Sequence, residues 1–351
     1  MLELARNRRR GAESFVADIS ESLLEEKSII LQSSSDIPWR SRMVGVIKEK
    51  VRQQNSSKRF EFIADADDPG AYILREYCKP EKRVLYRPSK TYARFLAESD
   101  DIVFHSRYLW VTVKSDTELE AWCGFVSEYV RKREKGKETA VFILERQSDA
   151  HVSSRKGIKL YSFDDYMGEY DRIVFSTLAS SSLKEKTFIK SYLAELAANV
   201  VENDIELCAQ CLMRYKDFLG DPSEVIREVV LNCLRSDGQK FTFTKSLESV
   251  EHCIWLTQIR TIYPVIEEFR EDFVERHAAA IQAQLPINST YGETYTDFRD
   301  VELGILVYMA GSGRLCLSGG DYERLKMYKE ARNCLSHLNT LEFDEIEKLC
   351  L

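Results

Sequence analysis

The sequence predicts an α/β protein that runs on into an all-α region: a mainly parallel sheet flanked by helices in front, a helical domain behind. Three observations predict it. Short β-rich runs alternate with amphipathic stretches as far as residue 165. Thr139–Glu145 is almost continuously apolar, as a strand buried on both faces requires. From Tyr170 onward the apolar spacing changes to the helical period of about 3.6 residues.

The elements follow in order. Residues 1–26 read as a helix and Ser28–Gln32 as a strand, followed by a helix-like RSRMVGVIKEKVRQ. Arg59–Ala64 is a second strand, Asp65–Gly70 a polar turn and Ala71–Cys78 a short helix. Arg83–Arg87 and Asp101–Val113 are β-rich. Asp116 opens a helix reaching Glu134, with acids in its first turn and bases in its last. Thr139–Glu145 and Gly157–Ser162 complete the strands, and their alternation with helices implies parallel crossovers. Helices are then expected near 171–181, 187–202, 204–219, 222–235, 246–258, 260–284, 297–310, 321–337 and 341–350. Pro222 after Asp221 is a good helix start. Gln239–Thr244 is the one strand signal in this half. The expected domains are 1–180, a helical linker domain 181–244, and a helical domain 245–351.

Composition bounds the function. Across 351 residues, 50 Lys+Arg stand against 57 Asp+Glu, a net charge of −7, so any nucleic-acid site must be a local patch rather than a basic coat. With 44% hydrophobic residues the chain can bury a sizeable core. Arg6, Arg8, Arg9 and Arg10 precede no apolar stretch, so no secretory signal is expected. The longest apolar run, Val301–Met309, is far short of a membrane span. Nine scattered Cys predict a reducing cytoplasm rather than a disulfide framework. Cys208 and Cys211 form one CxxC without a second pair, so no metal is expected and both read as buried helix residues. No cofactor is expected either.

A strand, polar loop and helix near residue 30 have the layout of a phosphate-loop domain. That chemistry needs glycines to close backbone N–H groups on phosphate and a Lys to reach its outer oxygens. The loop Gln32–Arg40 holds neither Gly nor Lys, Pro38 removes a donor, and Asp36 would repel phosphate. Val141–Glu145 is similar to a Walker B strand with a single terminal acid. The layout over roughly 25–235 resembles STAND and AAA-type ATPases. The resemblance implies a degenerate domain that has lost hydrolysis, hence not an ATPase.

The sharpest motif lies near the C-terminus. On one helix Asn333 and His337 stand four apart and share a face, with Arg332 beside them. A neutral His can move the 2′-OH proton of RNA, an Arg can hold the developing phosphorane charge, and an Asn can orient either. Arg332-Asn333-x-x-x-His337 resembles the signature of the HEPN superfamily, preceded here by Asp300 and Glu302 and a Gly-rich loop. The resemblance implies an all-α domain over 245–351, homodimerisation or membership of a larger protein complex, and metal-independent RNA cleavage in phage-defence systems by Arg332, Asn333 and His337. It equally covers catalytically dead members that act as scaffolds or dimerisation modules. A purely structural reading also stands: Arg332 as an ion-pair partner of Glu302 or Asp300, and Asn339 with Glu342 as a capping box.

Arg131, Lys132, Arg133, Lys135 and Lys137 form a basic helix end that could contact RNA phosphates, or simply be solvated. Trp39 beside Arg40 could stack on a base or pack in the core. His105 has no nucleophile partner, His252-Cys253 lies on an apolar helix, and His151 and His277 read as surface residues. Asp67-Asp68 and Asp164-Asp165 read as turn or cap residues.

Overall fold

A computed structural model describes residues 11–350 except Asp65, Asp67, Asp149, His151, Ser153, Ser154, Ser289, Thr290, Tyr291 and Glu293. The Arg6–Arg10 cluster, Asp67 and His151 therefore lie outside the described residues. The chain forms two compact units. One comprises Met1–Arg172 with Leu234–Thr242, the other Ile173–Cys233 with Phe243–Leu351.

The first unit is α/β. Its elements are α1 (Ala12–Leu24), β1 (Ser28–Ser33), α2 (Arg40–Gln54), β2 (Arg59–Ile63), α3 (Pro69–Tyr77), α4 (Pro80–Arg83), α5 (Tyr92–Glu98), β3 (Arg107–Val113), α6 (Asp116–Lys132), β4 (Val141–Gln147), β5 (Ile158–Ser162) and α7 (Phe163–Tyr166). The five strands make one sheet, in the order β2-β3-β4-β1-β5, with every pairing parallel. Central strands are apolar on both faces because both faces are covered: all six β1 residues are buried. On one face Ile30, Leu109, Phe142 and Leu144 pack against Trp122, Val126 and Tyr129 of α6. On the other, Phe15, Ile19 and Leu23 of α1 and Val44, Ile47 and Val51 of α2 are buried. In α6 the buried positions Leu119, Trp122, Cys123, Val126 and Tyr129 follow the spacing of a single helical face. Its start is fixed by Ser115, whose hydroxyl accepts from Glu118 N at 3.2 Å.

Three β expectations are corrected. Arg83–Arg87 is not a strand: α4 ends at Arg83 and successive tight turns follow, with Leu85 N bonded to Lys82 O and Tyr86 N to Arg83 O. The Pro80 helix start and Pro88 decide this against the β-branched local sequence. Only Arg107–Val113 of the Asp101–Val113 run is extended, since Val103–Ser106 winds into a 3-10 turn. Gln239–Thr244 carries a single bridge, Leu234 to Lys240, around a turn at Gly238 (φ +83°) rather than a strand.

The second unit is helical. α8 (Glu169–Ser180) carries the chain into it, followed by α9 (Thr187–Val201), α10 (Ile205–Met213), α11 (Tyr215–Gly220), α12 (Pro222–Asn232), α13 (Leu247–Arg276), α14 (Ala278–Gln282), a two-residue ribbon β6 (Ile287–Asn288) and β7 (Thr294–Tyr295), α15 (Leu303–Gly311), α16 (Gly319–Ser336) and α17 (Phe343–Leu349). The expected 246–258 and 260–284 helices are one continuous 30-residue helix, α13, which carries Pro264 in its interior. Gln258 ties it to its neighbours: its amide donates to Leu341 O at 2.9 Å and its carbonyl accepts from Leu341 N at 2.7 Å. Tyr328 of α16 stacks on Phe269 of α13 at 3.7 Å between ring centres. The last helix is capped by Glu342 and Glu345 rather than by Asn339 with Glu342.

Two substitutions test this packing. A Cβ at Gly70 would lie 2.4 Å from Tyr92 Cβ, whereas at Gly124 it would meet nothing within 4 Å. Gly70→Ala is expected to destabilise the protein by about 1–3 kcal/mol, and Gly124→Ala, inside α6, to stabilise it by about 0.5–1 kcal/mol, both read by urea denaturation. A third prediction concerns pH. His105 is buried, its Nε2–H donating to Ser99 O at 2.8 Å and its Nδ1 facing the Tyr129 hydroxyl at 2.7 Å. Burial pushes its pKa down from 6.5 to about 4. The unfolded chain therefore takes up this proton first, and stability is lost as pH falls from about 6.5 to about 4. The slope from this group is on the order of 1 kcal/mol per pH unit, and His105→Gln should flatten it in denaturation midpoints measured across that window.

Candidate functional site

The α/β unit has one place where its topology opens a crevice. From β1 the chain crosses toward the β2 edge, whereas from β4 it passes to β5 on the opposite side of β1. β1 and β4 are neighbours, so their connections part company at their carboxyl ends, which is where ligands bind in open α/β sheets. A cleft of about 640 Å³ occupies this point, lined by Asp36, Arg40, Lys114, Glu145, Arg146 and Arg235 among others.

The cleft is already filled with charge pairing. Glu145 ends the apolar run of β4 on the face covered by α2, where it is only 9% exposed. Arg40, the first residue of α2, reaches it in bidentate fashion, Nε to Oε1 at 2.5 Å and Nη2 to Oε2. Trp110 of β3 donates its indole N–H to Glu145 Oε2 at 2.5 Å, and the Arg40 guanidinium lies 5.9 Å from the Trp110 ring centre. The hydrogen bond to the Glu145 carboxylate raises the Arg40 pKa above its ordinary value. On the opposite face of β4, Arg146 pairs with Asp116 at the start of α6 and donates to Ser148 Oγ at 3.0 Å. Arg235, nearly buried, lies 3.6 Å from Asp36 and 5.0 Å over the Phe241 ring. Asp36 also accepts from the Thr242 hydroxyl at 2.9 Å.

This arrangement differs from a phosphate cradle at every point. The loop after β1 supplies no glycine. The Ser34 N–H and hydroxyl both go to the Asp164 carboxylate, at 2.7 and 2.8 Å. Trp39 takes a left-handed conformation (φ 45°, ψ 40°) as it turns the chain into α2. A phosphate entering here would have to displace Glu145 from Arg40 and approach Asp36. Among the described residues no group of three His, Cys, Asp or Glu could hold a metal ion. Asp164 acts as a loop-fixing acceptor, in line with its reading as a turn residue.

The C-terminal motif lies on α16. Arg332 is half-buried, with its guanidinium 3.3 Å from Glu302. Asn333 is half-buried, and His337 is exposed at the C-cap, its backbone N–H bonded to Asn333 O at 3.1 Å. Asn333 and His337 share a helix face, while the five-residue step from Arg332 to His337 turns the two about 140° apart. One chain thus directs Arg332 inward and His337 outward.

In the basic helix end, Arg133 is committed to structure: Nη1 donates to Ala97 O at 3.0 Å and meets Asp100 at 3.2 Å. Lys137 pairs with Asp100 at 2.9 Å and Glu134 at 2.8 Å. Arg131, Lys132 and Lys135 are exposed. Cys208 and Cys211 are buried thiols whose pKa values burial raises, Cys208 to about 11. His277 is half-buried against Phe273 at 4.6 Å rather than a plain surface residue. His252 stacks on Trp255 at 5.5 Å. The sequence gave Trp110 and Arg235 no functional flag. Trp110 lies inside an ordinary β-rich run, and Arg235 reaches the cleft only because the 234–242 segment folds back into the first unit.

No family model matches this chain. No curated protein matches it either. Several solved structures show faint likeness. A Rhizobiales Trip13 structure is 12% identical over 62% of this chain and 71% of that one, with a TM-score of 0.30. A structure of an E. coli MS115-1 HORMA:CdnC:Trip13 complex gives 9% identity, 72% and 90% coverage and a TM-score of 0.34. C. elegans PCH-2 gives 8%, 61% and 67%, and 0.30. Likenesses this slight carry no inference about activity or partners.

The different settings of the motif residues have a measurable consequence. Arg332→Ala removes a half-buried pair with Glu302 and is expected to cost about 1 kcal/mol of stability. His337→Ala, at an exposed cap, is expected to stay within about 0.5 kcal/mol of wild type. Urea denaturation of the two variants separates the two settings.

Proposed function

We propose that this chain is a non-catalytic assembly protein, built from a degenerate phosphate-loop-type domain and a helical association domain. The single observation that carries this reading is the Arg40–Glu145–Trp110 cluster, which joins the start of α2, the end of the apolar run of β4 and the middle of β3. It neutralises internally the one cationic group that directly follows the β1 loop. The loop itself has no glycine, and its Ser34 N–H is spent on Asp164. The helical unit supports a role in association. Leu231 and Leu247, 62% and 61% exposed, line a groove of about 540 Å³ together with Ile226, Val230, Phe243 and Val250. Titration of the protein with Mg-ATP tests the reading. No saturable binding is expected, and saturable binding weakened by Arg40→Ala would overturn it.

A second reading, metal-independent RNA cleavage by Arg332, Asn333 and His337 in a phage-defence protein, is favoured by the exposure of His337 one turn beyond Asn333. Within one chain Arg332 is engaged by Glu302 and turned away from His337, so this reading needs a second copy to supply the arginine or the imidazole. Incubation of RNA with wild type and His337→Ala distinguishes the two. Under the assembly reading neither cleaves, and cleavage lost only in His337→Ala would establish the RNase.

A further inference from the structure

The mild acidity of the chain conceals a local reversal of sign. Residues 79–94 carry six cations, Lys79, Lys82, Arg83, Arg87, Lys90 and Arg94, against the single acid Glu81, a net of +5 in a chain of −7. The segment spans α4 and the turns leading into α5, and it is ordered by its own arginines. Arg83 Nε donates to Cys78 O at 2.7 Å, and Arg87 Nη1 donates to Val84 O at 2.6 Å and Tyr86 O at 3.0 Å. Lys90 and Arg94 are held by Glu98. Lys79 and Lys82 form no ion pair among the described residues, and Lys79 is exposed.

Rings and aliphatic side chains interleave with these charges. Tyr86 and Tyr92 stack at 4.4 Å with planes 15° apart, both half-exposed, and Arg75 lies 5.4 Å over the Tyr72 ring. Val84 and Leu85 stand 71% and 61% exposed on the outer turn. Lys82 and Arg133 both lie close enough to His105 to disfavour its protonation. α5 packs against α6, and Arg133 at the end of α6 donates to Ala97 O of α5 at 3.0 Å, beside the exposed Arg131 and Lys132.

We propose that residues 79–94, with Arg131 and Lys132 beside them, form a docking surface for single-stranded nucleic acid. Lys79 and Lys82 contact the phosphate backbone, and bases lie against Tyr86, Val84 and Leu85. Cations tracking a backbone beside aromatic faces are the general means of binding single strands without reading sequence. Exposed aliphatic residues between cations give unstacked bases a further apolar contact. An anionic membrane would use the cations and the aliphatic pair, but not half-exposed tyrosines stacked face to face. The surface shares no residue with the cleft or with the Arg332–His337 motif, so it stands whether or not the chain cleaves RNA.

Fluorescence anisotropy of the full chain with labelled oligo-dT and oligo-U tests this. Binding is expected at about 50 mM salt and should weaken steeply toward about 200 mM. Lys79→Glu/Lys82→Glu is expected to reduce affinity at least about tenfold, and to lower the slope of log affinity against log salt by about 1–2. Lys79→Arg/Lys82→Arg should retain binding, with thermal midpoints confirming that both variants fold. Val84→Ser/Leu85→Ser should weaken binding while leaving the salt slope unchanged, as befits an uncharged contact. Lys326→Glu, on α16, should bind like wild type. Absence of binding at low salt, or equal binding by the glutamate variant, would overturn the proposal. So would binding to phosphatidylserine vesicles with none to either oligonucleotide.

Discussion

The α/β unit depends on how one buried carboxylate is satisfied. Glu145 follows the apolar run of β4 and is 9% exposed, where an isolated charge would cost several kcal/mol on an order-of-magnitude scale. Arg40 and Trp110 satisfy it from two different elements, the start of α2 and the middle of β3. Three parts of the unit are thereby tied together at the point where the topology opens a crevice. The same interaction bears on what the crevice can take. Its first cationic side chain is already paired, so an incoming anion competes with an internal one.

Second-tier pairing follows the same logic around the cleft. Arg146 faces α6 and takes Asp116, whereas Arg235 arrives from a distant segment and lies beside Asp36 and Phe241. Asp164 takes the donors of Ser34. Arg40, Arg146 and Arg235 are thus matched by carboxylates from the chain itself. This is the local form of the balanced composition, 50 basic against 57 acidic residues. The exception is the 79–94 segment, where the balance fails and cations stay exposed.

Much of the fold was legible because burial on both sheet faces leaves an unmistakable mark. Ser28–Gln32 and Thr139–Glu145 read as strands because each holds an uninterrupted apolar run, Ile29–Leu31 and Ala140–Leu144, and α6 because its buried positions repeat on one face. Arg83–Arg87 misled because valine, leucine and tyrosine favour strands locally, while flanking prolines and arginine-capped carbonyls fix turns instead. The long α13 reads as two helices, 246–258 and 260–284, because weak periodicity hides its continuity, which tertiary partners such as Gln258 with Leu341 support. At the site, the absence of a phosphate loop was legible from residue types alone. That Arg40 would meet Glu145, 105 positions away, was not, since strand order decides it and no local pattern encodes strand order. An ion pair of Arg332 with Glu302 or Asp300 was one reading of the sequence and the structure shows Glu302, but the outward turn of His337 depends on where α16 ends.

The most direct measurement of the central claim is a double-mutant cycle on Arg40 and Glu145, using Arg40→Met, Glu145→Leu and the pair, with stability read by urea denaturation. A locked, half-buried bidentate pair predicts single losses of about 3–5 kcal/mol and a double loss well below their sum, with a coupling energy of at least about 1.5 kcal/mol. Additive losses, with coupling under about 0.5 kcal/mol, would show that Arg40 and Glu145 do not hold one another, and would leave the cleft free to take an anion.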